Sequence, residues 1–120
     1  MHHWAADPVA WVPRELNDMA DSLCNRSMNN KQDHRKIHHF IDKIIRSGFN
    51  LKLCTDGGVR GGKTSGTGWI IYAVQVNDHG AEGKHVAIIE GGTYFNRGMS
   101  SLEAEIRALD EALDCLGLYL

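Results

Sequence analysis

Hydrophobic and polar positions along the chain change period twice. Residues 8–13 carry Val9, Trp11 and Val12 between two prolines, the pattern of a short extended piece. Over 14–26, Leu16, Ala20, Leu23 and Cys24 recur at helical spacing, with Asn17 as the expected N-cap. A polar, turn-prone stretch covers 25–32. Ile37, Phe40, Ile41, Ile44 and Ile45 then fall at i, i+3, i+4, i+7 and i+8, which predicts an amphipathic helix ending near Gly48. From Asn50 the period becomes two: Leu51, Leu53 and Thr55 alternate with Lys52, Cys54 and Asp56, the signature of a strand. A glycine-rich turn over 57–62 is expected next. Residues 69–76 and 85–95 are rich in β-branched and aromatic side chains and predict a hairpin around the glycines of 77–84. The last element begins near Ser101, with Leu102, Ile106, Leu109, Leu113 and Leu116 forming one helical stripe, expected to face the core. The order strand, helix, helix, three strands, helix defines a mixed α/β (α+β) domain with an antiparallel sheet.

Composition narrows this picture little. The chain has 120 residues, enough for one small domain and too few for two full cores. A net charge of -2 excludes a whole-protein positive field, so any nucleic-acid binding must rest on local patches. Cys24, Cys54 and Cys115 lie in apolar segments without CxxC spacing and read as buried thiols of a reducing compartment. No apolar run reaches the roughly 20 residues that span a bilayer, and the first residues lack signal-peptide character, so a soluble, intracellular protein is expected.

The candidate chemistry is carboxylate chemistry. At about 100° per residue, Glu103, Arg107, Asp110, Glu111 and Asp114 project away from the leucine stripe, whereas Glu105 lies within about 60° of its centre. A half-buried carboxylate is costly unless it is paired or binds a metal. The plain alternative is a border residue reaching back to water. Asp56, in turn, closes a strand and leads into Gly57-Gly58-Val59-Arg60-Gly61-Gly62 and then Gly66-Thr67-Gly68-Trp69.

With these residues a family comes into view. The run TDGGVRGGKTSGTGWIIYA resembles the opening hairpin of the reverse-transcriptase-like ribonuclease H family, and SSLEAEIRAL (100–109) resembles its first helix, which carries the second catalytic carboxylate. A third segment, VPRELNDMADSL (12–23), resembles the family's closing segment, whose Ala-Asp supplies the last metal-site carboxylate, here Asp21. An ordinary exposed acid near a helix start is the simpler reading of Asp21. The closing segment precedes the opening one, so the order is permuted: 1–30 resembles the final strand and helix, 31–49 is the connecting helix, and 50–120 resembles the first half. The family's fourth strand, with its Thr-Asp-Ser, and the helix after it have no counterpart. A slice across two tandem domains is preferred over a permuted small protein, and the 37–45 helix is the expected surface for a homodimer supplying the missing parts.

The resemblance implies a ribonuclease H-like fold and an endonuclease that hydrolyses the RNA strand of RNA–DNA hybrids with Mg²⁺, or Mn²⁺ in its place. It implies that Asp56 bridges two ions, that Glu105 holds one and positions water, and that Asp21 holds the other. It also implies nucleic-acid contacts at Gly57, Gly58, Arg60 and Asn17. A degenerate, non-catalytic module that binds nucleic acid or oligomerises is the alternative.

Two other motifs compete. Gly57-x-x-x-x-Gly62-Lys63-Thr64 fits the phosphate-loop pattern, but such a loop must open a helix, and the β-prone WIIY follows instead. His34 and His38 sit at i and i+4 on the expected helix, a metal-binding spacing. Together with Lys31, Arg35, Lys36 and Lys43 they read more simply as a solvated basic face.

Overall fold

The computed structural model describes residues 14–46, 49–76 and 82–119. The elements are α1 (Arg14–Asn30), β1 (His34–Ile37), α2 (Ile41–Arg46), β2 (Asn50–Arg60), β3 (Thr64–Val76), β4 (Glu82–Gly92), β5 (Tyr94–Phe95) and α3 (Ser101–Gly117). The expected piece at 8–13 lies outside the described residues. All strand pairs are antiparallel, in the order β1-β4-β3-β2, with β5 pairing β3 beyond the end of β4. This is the mixed α/β domain with an antiparallel sheet that the periodicities predict.

Strand alternation sends β3 side chains into two cores. Trp69, Ile71 and Ala73 meet Ala112, Cys115 and Leu116 of α3 and Ile41 of α2 on one face. Ile70, Tyr72 and Val74 meet Ala20 and Leu23 of α1 and Cys54 of β2 on the other. The two long helices therefore sandwich the sheet. All three cysteines are buried free thiols, as the sequence suggests.

Three elements differ from expectation. The 31–49 helix is absent: His34–Ile37 is a strand beside β4, and only Ile41–Arg46 is helical. Ile41 is buried and Ile44 packs on the core, while Ile37 and Phe40 stay exposed, so the 37–45 stripe is not one continuous face for a dimer. The apolar spacing is real, but Ile37 lies in β1 and Phe40 in the turn after it, and only Ile41, Ile44 and Ile45 share α2. The 57–62 turn is also shorter than expected, because β2 runs on through Arg60 and only residues 61–63 turn. Gly61 and Gly62 take positive φ of 58° and 67°, the conformation in which glycine is least strained.

The third difference is the face of α3 that packs. Ala104, Ala108, Ala112, Cys115 and Leu116 are buried, whereas Leu102, Ile106, Leu109 and Leu113 are exposed. Gly57 explains the inversion. A side chain there would collide with the carbonyl of Ala104 and the backbone nitrogen of Glu105, so the α3 backbone rests almost directly on β2. Only small side chains fit in so narrow a gap, and the alanine stripe faces inward. The helix is held at its start by Ser100, whose hydroxyl accepts from the Glu103 N–H at 3.0 Å.

Candidate functional site

Asp56 and Gly68 are directly opposed in the β2–β3 ladder and so point to the same face, that of α1. A side chain at Gly68 would strike the Cys24 nitrogen and the Ala20 carbonyl, so α1 crosses the sheet at this spot. That contact sets Asp21, the next residue along α1, within hydrogen-bonding reach of Asp56. The following residue of β2, Gly57, faces the other way and admits the start of α3, which brings the Glu105 charge close enough to act on Asp56. Two successive residues of the outer strand thus seat two helices on opposite faces, and each helix delivers an acid to Asp56.

The electrostatic result is a crowded carboxyl. Burial first, then the hydrogen bond and charge of Asp21, then the charge of Glu105 push the Asp56 pKa up to about 6, against a smaller opposing bond from the Gly57 N–H. Beneath the pair, burial and the charges of Asp56 and Asp21 push the Cys24 thiol to about 12. Its Sγ donates to the Gly66 carbonyl at 3.3 Å, so Cys24 is a packed thiol rather than a nucleophile.

Arg60 closes the assembly on the outside. Its guanidinium donates to Asn29 Oδ1 at 2.6 Å and Asn25 Oδ1 at 3.2 Å, and Asn25 donates in turn to Asp21 Oδ2 at 3.4 Å. Sequence reasoning missed Asn25 and Asn29 by assigning them to a turn. The signal was present, since Asn17, Asp21, Asn25 and Asn29 recur every four residues and share one side of α1.

Of the residues singled out in the sequence, Asp21 and Glu105 act on Asp56 from opposite faces of the sheet, with Asp56 half-buried and the other two exposed; Glu105 is not the half-buried acid expected beside a core-facing leucine stripe, because that stripe faces outward. Asn17 is exposed within α1 and does not cap it, because the helix starts at Arg14. Arg60 is exposed at the end of β2. Gly57 and Gly58 are half-buried strand residues facing α3 and Met28, not members of an open turn. Among the described residues no three His, Cys, Asp or Glu side chains converge tightly enough to hold a metal ion as they stand. Asp21 lies within hydrogen-bonding reach of Asp56, and the Glu105 charge acts on Asp56 from the start of α3.

The rival motifs do not find their structural setting. The phosphate-loop pattern runs from strand through turn into strand β3, with no helix behind it. His34 lies in β1, where its Nε2 is 3.0 Å from the Leu23 carbonyl, and His38 lies beyond that strand and stacks on His39.

A second polar cluster occupies the α3 face. Glu111, expected on the solvent side, instead turns to the sheet, where one carboxylate oxygen accepts from Thr67 Oγ1 at 2.7 Å, Thr93 Oγ1 at 2.9 Å and Trp69 Nε1 at 3.3 Å. It lines a cavity of about 620 Å³ with His34, Trp69, Thr93 and Asp114.

Compared with known proteins, the chain matches no protein-family model, no curated protein and no solved structure. Among the described residues no helix is long and apolar enough to cross a membrane.

Proposed function

We propose that the chain is a ribonuclease H-type endonuclease, Mg²⁺-dependent and acting on the RNA strand of RNA–DNA hybrids, with its segments in permuted order. The observation that carries this reading is the approach of Asp21 to Asp56. The resemblance assigned these two residues to one site although they lie in segments whose order is reversed along the chain, and α1 does come to rest beside the strand that bears Asp56.

The donor chemistry, carboxylate oxygen alone, suits a hard divalent cation. Asp56 is surrounded by acids, its charged form is disfavoured, and the nearby guanidinium of Arg60 is taken up by two asparagines. Crowded carboxylate oxygens short of positive charge suit Mg²⁺ or Mn²⁺. Asp56 and Asp21 would hold the ions and Glu105 would turn inward to complete the set. Bound in a pair, such ions stabilise both the attacking and the leaving oxygen of a phosphodiester displacement.

The chain's own groups divide the remaining work. Asp56, rigid on its strand, must give up its proton for the site to load, so loading strengthens above about pH 6. Glu105 is exposed beside the pair, where its carboxylate can orient an attacking water. The Arg60 guanidinium, fixed by Asn25 and Asn29, suits a phosphate of the bound strand. Gly57 and Gly58 serve by letting the two helices approach the strand.

One observation favours a second reading, a non-catalytic module that binds a hybrid without cutting it: the carboxylates form a pair with a neighbour rather than a closed ligand set. A labelled RNA–DNA hybrid incubated with Mg²⁺ separates the two. The endonuclease gives cleavage that falls at least about 100-fold in Asp56→Asn and in Glu105→Gln. Binding with no Mg²⁺-dependent cleavage establishes the module, and equal rates for wild type and Asp56→Asn remove Asp56 from the chemistry.

A further inference from the structure

The turn between β1 and α2 sets an aromatic ring at the lip of a basic cleft. His38 follows β1 and donates its backbone N–H to the Ile88 carbonyl at 2.8 Å, while its own carbonyl accepts from Ile41 at 3.1 Å. Phe40 is pinned in the same turn: its N–H donates to His38 Nδ1 at 3.1 Å and its carbonyl accepts from Ile44 at 3.0 Å. The backbone is thus fixed although the residue stays 57% exposed. Its ring centre lies 4.3 Å from that of His39, which stacks on His38 at 4.9 Å. Phe40 borders a cavity of about 490 Å³ whose half-buried floor is Ile44, Phe49 and Val86 and whose exposed rim carries Lys43 and Lys84. Both fully charged side chains that line it are lysines; Asp42, the acid next to Lys43, is not part of the lining. Neither ammonium is bound to a carboxylate among the described residues. In a chain of net charge -2 this is a local positive patch, of the kind that any nucleic-acid contact here requires.

We propose that this cleft binds single-stranded nucleic acid, with one base stacked on Phe40 and the phosphates beside it on Lys43 and Lys84. The exposed ring and apolar floor call for a flat, weakly polar body, and the lysines call for an anion at its edge; a nucleotide unit joins the two. An acyl chain with an anionic head would satisfy the lysines but leave the ring face without a stacking partner. One stacked base and two phosphate contacts hold a free nucleotide only weakly, so the cleft works on a strand, whose neighbouring contacts keep the base at high local concentration. Ile44 and Phe49 belong to the core on the α3 side of the sheet, whereas Asp56 faces α1. The cleft therefore shares no residue with the proposed endonuclease site, and either function can be lost without the other.

The test follows the fluorescence anisotropy of a labelled oligoadenylate of about ten nucleotides mixed with the full chain, in EDTA so that no divalent ion supports cleavage. Binding should be saturable and weakened by added salt. Phe40→Ala should weaken it at least about fivefold and Phe40→Trp should preserve it, with circular dichroism unchanged in both. Lys43→Gln/Lys84→Gln should weaken binding and lower the slope of log affinity against log salt by about 1.4, the loss of two phosphate contacts on a single strand. A base-free strand of equal length should bind wild type more weakly than oligoadenylate does and should not distinguish wild type from Phe40→Ala, so the answer does not depend on one variant folding. The proposal is overturned if oligoadenylate fails to bind, if the folded Phe40→Ala or lysine variant binds as well as wild type, or if the base-free strand binds wild type as tightly. It is equally overturned if adenosine monophosphate alone matches the affinity of the strand, or if vesicles containing phosphatidylserine bind the chain through Phe40 in preference to the strand.

Discussion

Asp56 makes the fold sensitive to pH. Its carboxyl titrates ordinarily at 3.8 and here at about 6, so between those values the folded state holds the proton more tightly than the unfolded chain does. The stabilising contribution is complete below about pH 4 and is lost as pH rises through 6. Asp56→Asn keeps this side chain neutral throughout. The variant should therefore be more stable than wild type at pH 7 by about 1–2 kcal/mol, a figure reduced for the partial exposure of the group, with the difference closing below pH 4. Urea titrations of both proteins across that range check the sign, and added Mg²⁺ should raise the melting temperature of wild type while leaving the variant unchanged. Gly57 and Glu111 are equally specific. Gly57→Ala forces a methyl group into the α3 backbone and should cost about 1–3 kcal/mol. Glu111→Ala leaves two hydroxyls and an indole N–H without their common acceptor and should cost about 2–3 kcal/mol in the same assay.

At the scale of elements, α3 separates what a hydrophobic pattern can say from what it cannot. Period and length gave a helix from Ser101 and an apolar stripe, and both exist. The stripe's direction depends on Gly57, a residue in another element whose missing side chain lowers the helix onto the strand and makes alanine the right size inside. Ala108→Leu should consequently destabilise the protein by about 2 kcal/mol, while Leu109→Ser changes stability by no more than about 0.5 kcal/mol, an inversion of the order expected when leucines form the core. Thermal melts of the two variants decide it. The 31–49 segment shows a related limit, because six-residue α2 and four-residue β1 are too short for either period to declare itself, and their apolar residues together imitate one helix. The strands were legible because alternation and β-branched content agree over most of β2, β3 and β4. The glycines of β2 and β3 were not, since a strand glycine and a turn glycine look alike until a helix is placed above them.

For the whole molecule, Asp21, Asp56 and Glu105 were legible through motif resemblance, whereas Asn25, Asn29 and Glu111 emerge only from packing that no single segment encodes. The same architecture gives the acid site a place in time. Its partners are brought together by contacts between elements far apart in the chain, α1 with β3 and α3 with β2, which are the slow contacts of a folding reaction. The β2–β3 hairpin can close locally and early, but the Asp21–Asp56 pair exists only once α1 has docked across Gly68. Cys24, sealed under that pair, thus serves as a built-in clock: in pulse-labelling during refolding, its thiol should stay reactive after the far-ultraviolet signal has recovered and fall silent when the carboxylates meet.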